Sequence, residues 1–133
     1  MDFILASYES QLRSLLRIVA GFTFSLHGYQ KLFGALGGPQ AQLGSLMGVA
    51  GCLETIGGAL IILGLFTRPT AFILSGQMAV AYFMVHQAMG ALPIQNNGEP
   101  AVLYCFAFLY IAARGAGIWS VDSLMRGTGS AAG

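Results

Sequence analysis

Long apolar stretches alternate with short polar breaks along this chain, and the spacing of the breaks predicts four helices. A helix needs about 20 apolar residues, at 1.5 Å each, to cross roughly 30 Å of hydrocarbon. Residues 15–33, 46–66, 70–89 and 100–118 meet that length. The loop GALGGPQAQ follows the first segment, Thr67-Arg68-Pro69 closes the second, and GALPIQNNGEP parts the third from the fourth. Pro69 cannot continue a helix, Arg68 prefers a headgroup layer, and Pro100 suits a first helical turn. Residues 2–12 (DFILASYESQL) read as a short lead-in helix along an interface. The tail RGTGSAAG is small and polar, and is expected to fray.

Composition turns these helices into expected membrane spans. The 133 residues are 56% hydrophobic and 8% charged, with a mean hydropathy of +0.71. A soluble domain carries roughly 25% charged residues, so this chain is too apolar for a water-facing surface. The expected fold class is all-α, a single-domain integral membrane four-helix bundle over residues 1–133. Arg13, Arg17, Arg68, Arg114 and Arg126 fall on one side of such a bundle and Lys31 on the other. The positive-inside rule then puts both termini in the cytoplasm of a multi-pass inner-membrane protein. Asp2 and Glu9 precede the first apolar run and no small-residue cleavage site follows, so no removable signal is expected. A net charge of +1 without basic clusters gives no electrostatic case for nucleic acid. Glycines at 44, 48, 51, 57, 58 and 64 allow close helix approach within the bundle; a homo-oligomer face is the second reading of the same spacing.

The charges that interrupt the spans carry the functional information, because an ionisable group at bilayer depth is costly and usually serves a site. His27 lies roughly 9 Å and Glu54 roughly 12 Å below the outer ends of their spans, taking 1.5 Å per residue. Lys31 follows His27 by one helical turn, His86 is close to the outer end of the third span, and Glu99 sits at the mouth of the fourth. Arg17, Arg114 and neutral Gln77 belong to the inner half, with the arginines read mainly as topology signals. Ser75, Ala79, Tyr82 and His86 share one stripe of the third span; Glu99, Leu103, Phe106 and Tyr110 share one of the fourth. If both stripes face inward, they enclose a pocket suited to a flat, partly polar molecule such as a quinone.

Plainer readings stand beside these. Lys31 and Glu99 can simply snorkel to headgroups, and His86 can be a helix-end polar residue. Glu54 can form a structural pair with His27 or Lys31 that locks two helices. Tyr104, Phe106, Phe108 and Tyr110 are aromatics of a kind more often lipid-facing or core than ligand-facing. No Glu-x-x-His spacing supports a di-iron centre, and no flavin, haem or iron–sulfur signature occurs. Cys52 and Cys105 fall at similar depth on the second and fourth spans, and whether they pair depends on helix neighbourhood.

Three stretches carry a family resemblance: LLRIVAGFTFSLHGYQKLFG, ETIGGALIILGLFTRP, and NNGEPAVLYCFAFLYIAARGAGIWSVD. Their most specific positions are Glu54-x-x-Gly57-Gly58, Gly64-x-x-Thr67-Arg68, and Gly115-x-Gly117-x-x-Ser120-x-Asp122. Over residues 13–124 the chain resembles the DoxX family of small bacterial membrane proteins. The resemblance implies a four-helix inner-membrane protein of quinone-associated, oxidoreductase-like character, with relatives tied to oxidative-stress resistance. It brings no catalytic residue set with it.

The leading expectation is a quinone-binding component in which Glu54 and His27 exchange protons and Lys31 stabilises an anionic oxygen. His86 or Tyr82 bonds the other carbonyl, with Glu99 and Phe106 completing the pocket. Electrons come from a soluble or membrane redox enzyme, or from the cysteines. The competing readings are a non-enzymatic adaptor or assembly factor for such an enzyme, and a small-molecule or proton-coupled transporter. The transporter reading needs more alternating-access machinery than four spans offer.

Overall fold

The computed structural model describes residues 2–129, and every regular element among them is helical. α1 (Asp2–Ser7) breaks at Tyr8, and α2 (Glu9–Phe33) then runs 25 residues before Gly34 ends it at a φ of 61°. α3 (Leu46–Leu63) starts at Ser45, whose hydroxyl accepts the Gly48 N–H at 3.1 Å and so satisfies a first-turn donor. α4 (Thr67–Ala81) continues into a π-helical turn (Tyr82–His86) and a 3-10 turn (Gln87–Met89). The short α5 (Pro93–Asn96), α6 (Glu99–Arg114) and α7 (Val121–Gly129) follow.

Three boundaries differ from the sequence expectation: the lead-in helix covers only Asp2–Ser7, and the first long helix already begins at Glu9 rather than at residue 15. Thr67-Arg68-Pro69 is not a stop but the first turn of α4, where the proline's missing N–H would have had no intrahelical acceptor anyway. The break falls earlier, at Gly64 (φ 68°). The fourth helix ends at Arg114 rather than 118, because Gly115 and Gly117 adopt φ values of 89° and 81° and redirect the chain. Of the tail, residues 126–129 belong to α7 rather than fraying, and 130–133 lie outside the described residues. Among the described residues, α3 alone is long and apolar enough by itself to cross a bilayer.

The long helices form two close pairs, α2 with α3 and α4 with α6. The pairs meet where α3 packs on α4 and α2 on α6, which leaves α3 and α6 as diagonal partners. Glycine sets the closeness of the first pair. A Cβ on Gly28 would stand 2.8 Å from the Glu54 Cβ, and one on Gly58 would stand 2.7 Å from the Ser25 Cβ. Such approach lets backbones touch where hydrophobicity alone drives no association. The shared core contains Phe24, Ile61, Leu74, Phe108 and Ile111, all nearly fully buried. Phe24 packs edge-on against Tyr104 and Phe108, at centroid distances of 5.3 and 4.9 Å, a favoured aromatic geometry.

A polar knot closes one end of the bundle. Arg17 is fully buried, and its guanidinium donates to the carbonyls of Ala116 (2.8 Å), Ile61 (2.5 Å), Ile62 (2.6 Å) and Trp119. These carbonyls lie in the last turn of α3, where Ile61 also accepts the Gly64 N–H, and in the turn after α6, so one fork serves acceptors from both helix pairs. Asp122 does the complementary work at the start of α4. Its two oxygens accept the N–H groups of Phe66 (3.0 Å) and Thr67 (2.9 Å), and its own N–H donates to the Gly64 carbonyl at 2.8 Å. Burial works against the charged form of Asp122, but the nearby Thr67 hydroxyl, these two N–H groups and the Arg126 charge outweigh it and hold its pKa below the ordinary range. The Gly64-x-x-Thr67 and Gly117-x-x-Ser120-x-Asp122 positions singled out in the sequence therefore meet in space, around Arg17.

Candidate functional site

Glu54 lies in mid-α3 on the face that meets α2, and it is 1% exposed. Lys31 on α2 donates from Nζ to Glu54 Oε1 at 2.5 Å, and Gln77 on α4 donates from Nε2 to the same oxygen at 3.0 Å. Gly51 makes the first contact feasible: one turn before Glu54 its missing side chain leaves room for the Lys31 stem, since a Cβ there would stand 3.0 Å from the Lys31 Cβ. A buried carboxylate persists only when paired and hydrogen-bonded, and this one is satisfied on one oxygen only. Glu54 Oε2 and Gln77 Oε1 are buried with no hydrogen-bonding partner among the described residues.

A cavity of about 400 Å³ opens between the two helix pairs at this cluster, a size typical of small-molecule sites. His27, Lys31, Glu54, Gln77, His86, Asn97 and Tyr104 supply its polar lining. Most of the remaining wall is apolar, with Phe24 and the methionines at 47, 78 and 84 among it. Thioether side chains adapt to irregular ligand shapes. The π turn that carries Met84, Val85 and His86 into the wall departs from regular α-helix where it borders the cavity, as π turns at functional sites often do.

Not all of the sequence candidates arrive together. His27, Lys31, Glu54 and His86 line the cavity. Glu54 pairs with Lys31, however, and not with His27, whose ring instead faces Tyr104 edge-on at 6.1 Å. Lys31 wins because its longer side chain reaches across α3 at the glycine gap. Tyr82 lies outside the lining: it packs on the core and its hydroxyl accepts from Asn96 Nδ2 at 3.3 Å. Glu99 is exposed outside the cavity, and Phe106 is 64% exposed on the outer face of α6. The stripe Glu99–Leu103–Phe106–Tyr110 thus faces away from the bundle, and Ala101, Tyr104, Phe108 and Ile111 face in. Both faces of α6 are apolar, so periodicity could not tell them apart.

Three residues of the site region escaped the sequence reading. Gln77 falls in the opposite half by the sequence bounds, yet it reaches Glu54, because the break at Gly64 and the start of α4 at Thr67 put both side chains equally far from the turn that joins their helices. Tyr104 was grouped with core aromatics, and its hydroxyl donates to Thr23 Oγ1 at 2.8 Å. Asn96 is fully buried and ties the loop before α6, bonding the Gly90 carbonyl at 3.0 Å and receiving the Gly98 N–H at 2.8 Å. Its carbonyl also meets His86 Nδ1 at 3.0 Å. A carbonyl only accepts, so Nδ1 carries the proton and Nε2 is left for the cavity. Cys52 and Cys105 are free thiols on the diagonal helices α3 and α6, with Cys105 against Ser75. Among the described residues no three His, Cys, Asp or Glu side chains converge as a metal site would need.

Comparison with known proteins places these features in one lineage. The DoxX family model matches residues 12–87, which hold α2 from Leu12 onward, α3, α4, the π turn and every charged group of the cavity. An uncharacterized protein of Haemophilus influenzae is 44% identical, over 90% of this chain and 94% of its own length. No solved structure matches.

Proposed function

The chain belongs to the DoxX family, and from that premise we propose that it is a multi-pass protein of the bacterial inner membrane that binds a quinone-class molecule between its helix pairs. It acts as a component of a redox system, since it has no electron-carrying group signature of its own. One observation carries the reading: a buried Lys31–Glu54–Gln77 cluster, half satisfied, facing a largely apolar cavity of about 400 Å³. A quinone-class ring supplies two-electron, two-proton chemistry when bound. The chain's part is to hold the ring's polar edge at Glu54, Gln77 and Lys31, to seat its flat faces against Phe24, Tyr104 and the methionines, and to offer His86 Nε2 as a further contact.

The membrane setting is supported by what the bundle exposes. Phe22, Ile56, Phe72, Leu103 and Phe106 are each more than half exposed, and only 33% of the apolar α3 segment is buried inside the protein. Such a surface suits lipid better than water. Arg13, Arg17 and Arg68 all donate to carbonyls at the end of α6 or just after it. That concentration at one end fits a cytoplasmic face, with the cavity toward the other side.

Native mass spectrometry of the protein purified from its own membrane tests the reading. A quinone-class adduct is expected, together with stabilisation by added quinone-class compounds that Ala50→Trp abolishes by filling the cavity. No adduct and no stabilisation would remove the proposal. A soluble redox enzyme that co-purifies regardless of Glu54→Gln would favour the adaptor reading instead.

A further inference from the structure

Hydrogen bonding at the Glu54–Gln77 side of the cavity is lopsided. Lys31 and Gln77 both donate to Glu54 Oε1, so the Gln77 amide is oriented by the carboxylate with its oxygen turned elsewhere. Glu54 Oε2 and Gln77 Oε1 are then buried acceptors with no donor from the protein. Tyr104 adds a third acceptor. Its hydroxyl proton is committed to Thr23, whose own hydroxyl donates to the Val19 carbonyl at 3.0 Å, so the phenolic oxygen has only lone pairs to offer. His86 adds a fourth through Nε2, because Nδ1 is committed to the Asn96 carbonyl. Against these stand the remaining N–H bonds of Lys31, a ring N–H of His27 and the side-chain amide of Asn97 at the rim of the lining.

A buried acceptor left without a donor costs its full desolvation penalty. A ligand that itself only accepts, such as an oxidised quinone, leaves the acceptor pair beside Lys31 unsatisfied. A ligand that donates satisfies them. A cationic donor is disfavoured because the Lys31 ammonium lines the same cavity. The geometry points to a neutral hydroxyl-bearing aromatic, of the hydroquinone class, as the form this cavity selects, its hydroxyl protons directed at Glu54 Oε2 and Gln77 Oε1. This rests on the quinone-class reading above and specifies which member of the redox pair is held.

The test is equilibrium binding to the full-length protein in detergent under anaerobic conditions, with three probes sharing one ring and one alkyl tail: benzoquinol, benzoquinone, and the quinol's dimethyl ether. The quinol is expected to bind about tenfold or more tightly than the quinone, each decade corresponding to about 1.4 kcal/mol. The ether keeps the ring shape but has no donor, and is expected to bind no better than the quinone. Gln77→Leu removes one acceptor while leaving the Lys31–Glu54 pair, and is expected to cut the quinol preference to about threefold with little change in quinone affinity. Equal or tighter binding of the quinone, or of the ether, would overturn the inference while leaving the cavity reading intact. An unchanged preference in Gln77→Leu would also overturn it. Failure of all three probes to bind would remove both readings. Should Gln77→Leu not fold, the wild-type comparison of the three probes decides alone.

Discussion

Arg17 and Glu54 are both charged side chains enclosed in one small bundle, yet their surroundings differ in kind. Arg17 spends its donors on four backbone carbonyls from two helix ends, and it does not line the cavity that Glu54 faces. Glu54 has one oxygen served by Lys31 and Gln77 and the other unserved, and it faces open space. The first arrangement is what a structural charge needs, because complete pairing offsets the cost of burial. The second retains that cost in part, which is tolerable where a ligand completes the set. Burial alone therefore does not mark a candidate site; incomplete satisfaction beside a cavity does.

The comparison breaks most visibly at Arg17. Arg17→Met takes the side-chain donor from four carbonyls at once, and a loss of about 3–5 kcal/mol in unfolding free energy is expected in detergent, with little folded protein recovered. Arg17→Lys should recover only a minor part, since an ammonium lacks the planar fork. At the other end, Lys31→Met alone leaves an uncompensated buried carboxylate and should cost about 3 kcal/mol. The double variant Lys31→Met/Glu54→Met should regain most of that stability and still bind ligand at least about tenfold more weakly, read by paired unfolding and binding titrations. No second-site change should separate stability from function at Arg17 in this way.

Smaller effects sharpen the contrast. Asp122→Asn should cost about 1 kcal/mol at neutral pH by weakening the cap on α4. Because the folded protein holds the Asp122 carboxyl below its ordinary range, its contribution is complete above the unfolded-chain value of about 3.9 and is lost as pH falls through the lower folded value. An unfolding series across acidic pH should therefore show a flatter acid limb for Asp122→Asn than for wild type. Tyr104→Phe should weaken ligand binding by about threefold and stability by under about 1 kcal/mol, as expected for one hydrogen bond. Phe106→Ala, on the exposed face of α6, should leave ligand affinity unchanged within about twofold, and a larger change would mean that the wrong face has been assigned to the cavity.

Much of the candidate site is legible in the sequence because charge in an apolar run is conspicuous. Glu54 stood out as the one acid within the second apolar run, and Lys31, His27 and His86 stood out for the same reason. Facing was harder. Phe106 and Tyr104 lie on the same helix with similar neighbours, and nothing in an all-round apolar segment says which one turns inward. Gln77 carries no charge and so raised no alarm. Arg17 was read as a boundary marker because an arginine near a helix end usually snorkels; its true partners are carbonyls 44 to 102 residues away in sequence. The wide reach of one guanidinium is invisible to any local pattern.

By itself the sequence determined that the chain is helical, where most of its turns fall, and which charges lie among apolar neighbours, because these follow from local preference and from the cost of exposing or burying single side chains. The tertiary structure alone decided the partners. Glycine gaps at Gly28 and Gly51 bring Lys31 rather than His27 to Glu54, and packing of α4 beside α3 adds Gln77. The turn after α6 folds back over Arg17 and brings Asp122 to α4. Pairing depends on the distance between atoms on different helices, and close approach of backbones sets that distance.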